Sequence, residues 1–259
     1  MLKPIKKYIT RPLISVLGRR VERKHCTGTP VFIVGSPRSG TTLLLSILSA
    51  NPNMFAIPKQ TYGFDKWEFV NDKYQPTRLD RFYKEFLKRP VPKHANRWIE
   101  KTPKHIQSLD KIIDYFNNRV QILHIVRDGR DVVTSSHPHY LDRRYYWVSI
   151  ERWLNDVSFG LEQGKKNSNV HMVRYEDIIE NYEREIRAIC EFLNEEYTTE
   201  LDDWIENTRI KKSIHWGTKV QKIHSNSIYR WKKPEHKERI QQFMENEEAQ
   251  KLLKFLKYV

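Results

Sequence analysis

No run of apolar residues in this chain approaches the ~20 that a membrane-crossing helix needs, so no helical span is expected. Cysteine is scarce. Cys26 and Cys190 lie far apart and fit no metal-ligand spacing, which argues against a cysteine-built metal centre and a disulfide framework. Two free thiols in a reducing, cytoplasmic compartment are expected instead. No Gly/Pro/Ser-rich linker interrupts the middle of the 259 residues, so 31–259 reads as one large domain behind a basic segment, 1–30. Acidic charge is in deficit: 46 Lys+Arg against 32 Asp+Glu leave a net charge of +14. Such a balance draws anions, without choosing between nucleic acid, an anionic membrane and a polyanionic small molecule.

One further absence is chemical. Residues 31–45 read as a strand buried on both faces (Val31, Phe32, Ile33, Val34), a loop bounded by Gly35 and Gly40, and an apolar helix opened by Thr41 and Thr42. The glycines supply backbone freedom at the loop's edges. Unpaired N–H groups at the start of the helix favour an anion. This is a phosphate cradle of the P-loop kind. The usual pattern, G-x-x-x-x-G-K-[ST], carries a lysine for the β- and γ-phosphates. Here Thr41 stands in the lysine position, and the loop's cation is Arg38. A nucleoside triphosphate would lose its customary partner, so the loop suits a donor with a shorter anionic tail.

The loop Pro37-Arg38-Ser39-Gly40-Thr41-Thr42 resembles the 5′-phosphosulfate loop of sulfotransferases that use 3′-phosphoadenosine 5′-phosphosulfate (PAPS). The similarity is to bacterial and Golgi-type members, including the heparan-sulfate 3-O- and tyrosylprotein enzymes. It implies a three-layer α/β/α fold with a central parallel sheet, and it assigns Ser36, Pro37, Arg38, Ser39, Gly40, Thr41 and Thr42 to the 5′ end of the donor. Trp98-Ile99-Glu100-Lys101-Thr102-Pro103 resembles the family's E-K-T-P segment, whose lysine contacts the transferring sulfuryl group; carried over, that residue is Lys101. A second buried strand, 119–126, delivers Arg127, with Ser135 eight residues on. The resemblance implies that these two grip the 3′-phosphate, and a guanidinium fork with a hydroxyl suits phosphate oxygens. Tyr175, after a third strand at 169–174, is implied near the adenosine. Lys222 and Ser227, in a C-terminal K…S…RW segment, are implied at the 3′-phosphate.

The sequence departs from the family at one chemical position. Where a glutamate acts as general base on the acceptor hydroxyl, this chain has Gln60, whose neutral amide takes no proton. Glu100 and His105 are the substitute candidates. Residues 65–97 interleave aromatic and basic side chains. They read as a helical insertion, with Phe82, Tyr83 and Phe86 packed inward and some members lining the acceptor site, rather than as a nucleic-acid surface. The basic segment 1–30 reads as an amphipathic helix packed on the domain; a membrane-surface helix and a targeting segment are the alternatives. His137 and His139 have no third ligand nearby, so a metal-free loop is expected.

The expectation is therefore a metal-independent, PAPS-dependent sulfotransferase acting on a hydroxyl, or less readily an amine, of a small molecule or glycan. Two alternatives stand beside it. A P-loop small-molecule kinase would use Asp128 as a magnesium ligand. A non-catalytic binder of anions would have the same fold and no base at Gln60.

Overall fold

In a computed structural model, which describes residues 3–136, 146–211 and 228–259, the buried strand expected at the start of the domain lies in the middle of a sheet. Five strands run parallel in the order β2-β5-β1-β6-β7. They are β1 (Val31–Val34), β2 (Met54–Ile57), β5 (Arg97–Lys101), β6 (Gln121–Val126) and β7 (Val170–Arg174). After β1 the chain moves outward to β2, returns through β5, and then crosses to β6 on the other side. The reversal falls at β1, so the loops leaving β1, β5 and β6 converge at a topological switch point, where open α/β sheets bind ligands.

Alternation along β1 separates two cores. Val31 and Ile33 pack with α2 (Thr41–Leu48), α7 (Tyr175–Glu180) and α8 (Tyr182–Leu193). Phe32 and Val34 face the other way, toward α1 (Lys3–His25), α3 (Leu79–Lys88) and α4 (Leu109–Tyr115). Both layers are needed because every residue of β1 is buried, and a strand buried on both faces must be covered on both. Trp204 joins the first core from the short turns α9 (Thr199–Asp202) and α10 (Trp204–Asn207). A third cluster forms where α5 (Gly129–Val133) and α6 (Ile150–Lys166) meet the closing helices α11 (Lys237–Met244) and α12 (Glu247–Phe255). The three-layer arrangement follows.

Two stretches differ from expectation. The helical insertion divides: β3 (Trp67–Val70) and β4 (Lys73–Pro76) form an antiparallel hairpin, and only α3 is helical. Asn71 and Asp72 are both left-handed, φ 49° and 59°, as a two-residue hairpin turn requires, and Phe69 pairs with Tyr74 across it. Strand β2 follows closely on the Asn51-Pro52 stop that ends α2, and its four residues carry too little periodicity to announce a strand. The basic N-terminal segment is docked as well. Glu22 of α1 accepts from Trp98 Nε1 at 2.6 Å and from the Tyr83 hydroxyl at 3.0 Å, while Arg11 pairs with Asp80.

Candidate active site

The loop from β1 to α2 is shaped by its backbone. Gly35 has φ 149°, and a Cβ there would meet the Ile125 carbonyl oxygen at 2.3 Å. Gly40 has φ 96°, and a Cβ there would strike the Tyr175 ring at 2.2 Å. Arg38 is left-handed too, φ 74°, a conformation that costs a side-chain-bearing residue on the order of 1 kcal/mol or more. The N–H of Ser39 donates to the Ser36 carbonyl at 3.2 Å and closes the turn. Gly40 caps α2 without a side chain, so no side-chain oxygen is bound to the first N–H groups of that helix. Thr41 is buried in its first turn, with Pro37 and Thr42 partly exposed; Ser36 is buried.

Cations gather over this loop. Arg127, at the end of β6, donates to the Arg38 carbonyl and to Asp131 Oδ2, each at 3.2 Å, and lies 4.4 Å over the Tyr175 ring. Arg230 comes from the other end of the chain. Burial, then the charges of Arg230 and Arg127, push the Arg38 guanidinium down to about 10. Arg230 is lowered for the same reasons, burial first and Arg127 next. Like charges crowd here at a cost to the fold, as they do where an anion is to be held. The Arg38 Nε and the Ser39 hydroxyl are buried with no hydrogen-bond partner among the described residues. An open cleft of about 380 Å³ is lined by Arg38, Asp131, Ser135, Tyr146, Arg230 and His236. Ser135 is fixed there by donating to the Asp131 carbonyl at 2.7 Å.

The neighbouring strand end supplies a second set of groups. Lys101 closes β5, opposite Ile33, and is only 2% exposed. Burial pushes its ammonium down to about 8 against the opposing pull of Glu100. Glu100 and His105, the two substitute base candidates, are spent on each other. Glu100 Oε2 meets His105 Nδ1 at 3.1 Å; its Oε1 accepts from the Thr102 hydroxyl at 2.5 Å and the Thr61 hydroxyl at 3.0 Å. His105 Nε2 accepts from the Phe64 N–H at 3.3 Å, which leaves Nδ1 as the donor toward Glu100. Both side chains are fully buried. The pair thus pins residues 61–64 to the floor of the site and presents no open basic atom. Gln60 is partly exposed, and its Oε1 accepts from the Tyr62 hydroxyl at 2.7 Å.

Asp128, the magnesium ligand of the kinase alternative, is occupied. It caps α5 by accepting from the Arg130 N–H at 2.9 Å, and it binds the Arg130 side chain at 2.7 Å. Among the described residues, no cluster of His, Cys, Asp or Glu could hold a metal ion.

A family model described as "Sulfotransferase family" matches residues 30–199, which takes in the cradle, Lys101, Arg127, Ser135 and Tyr175. The chain belongs to the sulfotransferase family. Among its relatives, protein-tyrosine sulfotransferase 1 of Danio rerio is 28% identical over 220 residues, covering 71% of this chain and 61% of its own length. An uncharacterised protein of Aquifex aeolicus is 23% identical, over 85% of this chain and 33% of its own. The Drosophila melanogaster protein-tyrosine sulfotransferase is 26% identical, over 63% and 38%. The chain thus spans a third to three fifths of these relatives. The fold is that of solved sulfotransferases. The sulfotransferase domain from the curacin biosynthetic pathway superposes with TM-score 0.61 at 15% identity, over 91% of this chain and 99% of the domain. Mouse sulfotransferase SULT7A1, solved with PAP, gives 0.55 at 16% identity, over 91% and 92%.

The structure brings Arg38, Ser39, Gly40, Arg127, Ser135 and Tyr175 of this family member together around the loop. Lys101, Glu100 and His105 belong to the end of β5 and the turn after it, and Gln60 to the loop after β2 that Glu100 and His105 hold at Thr61 and Phe64. Lys222 and Ser227 lie outside the described residues. Sequence reasoning missed Arg230 and Asp131. Arg230 stands beside Trp231 in the K…S…RW segment, but no local pattern ties it to an arginine more than one hundred residues away.

Proposed function

We propose that this chain transfers the sulfuryl group of PAPS in line to a hydroxyl acceptor, without a metal. The observation that carries the reading is the convergence of Arg38 and Arg230 on one cleft, with the buried Arg127 close enough to shift both, beside an uncapped helix start and an unpartnered buried hydroxyl. These groups suit an anion with charge at two separated points. The β1–α2 loop would hold the 5′-phosphosulfate; Arg127, Ser135 and Arg230 would hold the 3′-phosphate, with Tyr175 beside the nucleoside. PAP in the mouse enzyme supports this donor.

When bound, PAPS supplies an activated sulfuryl group whose departure leaves negative charge on the 5′-phosphate side. Arg38 and Lys101 are fixed cations suited to stabilise that charge, and they act most strongly where water is excluded. Acceptor activation is the weaker half of the site, because Gln60 is neutral and Glu100 and His105 are engaged. That balance supports an acidic acceptor hydroxyl such as a phenol, which gives up its proton near pH 10 and needs little help. The protein-tyrosine sulfotransferase relatives support the same class. The two free thiols, Cys26 and Cys190, support a reducing, cytoplasmic setting. The test is transfer of label from radiolabelled PAPS to a panel of phenols, alcohols and amines, with and without chelator. Chelator-insensitive labelling of phenols is expected. Binding without labelling of any acceptor would favour the non-catalytic alternative.

A further inference from the structure

Among the described residues, those around Arg230 pair with no strand. Tyr229 is left-handed, φ 60° and ψ 19°, and the next residue opens a right-handed 3₁₀ turn, Arg230–Lys232. A left-handed residue followed by a right-handed one points the N–H groups of the first and third residues toward the same side. That is a backbone nest, a concavity that binds anions. Here the nest is filled from within the protein. The Tyr229 N–H donates to Asp131 Oδ2 at 3.0 Å, and the Trp231 N–H donates to Asp131 Oδ1 at 2.9 Å. Asp131 is 2% exposed, and Oδ2 also accepts from Arg127 at 3.2 Å. The backbone carbonyl of Asp131 holds Ser135.

An acid in the middle of a cationic cleft is a puzzle if the cleft exists only to bind an anion, since its charge opposes the ligand's. The nest resolves the puzzle. We propose that Asp131 is the positioning residue of the donor site: it fills the nest of residues 229–231 and so aims the Arg230 guanidinium into the cleft beside Arg38 and Arg127. Its two oxygens are taken by protein donors, so most of its charge is answered before a ligand arrives. Asp131 itself touches no substrate. It has this role only if the cleft is the 3′-phosphate subsite proposed above.

The test is calorimetric titration of 3′,5′-ADP into the wild type, Asp131→Asn, Arg230→Ala and the double variant, with PAPS kinetics alongside. Asn has nearly the same size but turns one acceptor oxygen into an N–H donor, which would face a donor already there. Asp131→Asn should weaken 3′,5′-ADP about tenfold, and Arg230→Ala at least about tenfold, as loss of a charge-assisted phosphate contact would. The double variant should be no weaker than Arg230→Ala within about twofold, because the two act as one unit. KM for PAPS should rise while kcat at saturation changes little. Tyr229→Pro approaches from the other side: it removes the N–H and sets φ near −65°, on a half-exposed residue, and should give the same loss in a folded protein. Wild-type affinity in Asp131→Asn or Tyr229→Pro would overturn the role. So would losses that multiply in the double variant, the mark of general loosening. A wild type that fails to bind 3′,5′-ADP would instead sink the donor reading on which the role depends.

Discussion

Replacing Arg38 by methionine should stabilise the protein in the absence of ligand and weaken its ligand response. The guanidinium is held down at about 10 by burial and by Arg230 and Arg127. A base whose folded value is lowered resists its own charged form, so the penalty acts in full at every pH below about 10, pH 7 included. At ~1.4 kcal/mol per pH unit, it is on the order of 3 kcal/mol. Methionine keeps an unbranched apolar stem without the charge; lost guanidinium contacts offset part of the gain, leaving ~1–2 kcal/mol. In a chain of this size, each kcal/mol moves Tm by ~2–4 °C, so a rise of several degrees is expected. The wild type should recover the difference on adding 3′,5′-ADP, since a ligand at 100 times its Kd contributes ~2.7 kcal/mol. Thermal unfolding with and without 3′,5′-ADP reads both halves. An Arg38→Met variant that melts below the wild type without ligand, yet responds equally to ligand, would refute the reasoning.

Other outcomes follow from the neighbouring strand end. Lys101→Ala should leave folding and 3′,5′-ADP binding nearly intact while lowering kcat by ~10²–10³, the usual cost of one electrostatic contact to developing charge. Because Lys101 is lowered to about 8, its cation disappears as pH rises through that value. Turnover should fall over the same range, and Lys101→Arg should move the falling limb upward; an unchanged limb would remove Lys101 from the chemistry. Gln60→Glu should raise turnover with alcohols more than with phenols, and equal gains would argue against base catalysis from that position. Glu100 is perturbed upward by burial, but His105 and its other donors outweigh this and hold it below the ordinary carboxylate range. Its stabilising contribution is therefore complete at neutral pH and is lost as pH falls through and below the normal glutamate value. His105→Ala, which takes the donor from Oε2 of the buried Glu100 carboxylate, should cost ~1–3 kcal/mol in denaturant unfolding.

What the sequence made legible was whatever local pattern could encode. Four consecutive apolar residues announced β1 as a central strand, and the two glycines and missing lysine around Arg38 announced the cradle. The resemblance paired Arg127 with Ser135, and the fold brings both to Asp131 because they sit on one strand–helix unit. Glu100 and His105 looked available as bases because sequence shows residue types and not hydrogen bonds; only the fold places Thr61, Thr102 and the Phe64 N–H around them. The hairpin at 67–76 was hidden under aromatic residues that also suit a helix face, and the turn chemistry of Asn71-Asp72 decided against one. Arg230 and Asp131 could not be joined in advance, since nothing local predicts that residues 229–231 will form a nest for a carboxylate on α5.

Two spaced cationic grips for one nucleotide are tested most directly by comparing 3′,5′-ADP with 5′-AMP in calorimetric titrations under the same buffer and salt. A second grip at Arg127, Ser135 and Arg230 predicts that 3′,5′-ADP binds at least about tenfold more tightly, a difference of ~1.4 kcal/mol for the added phosphate. Equal affinities for the two nucleotides would contradict it.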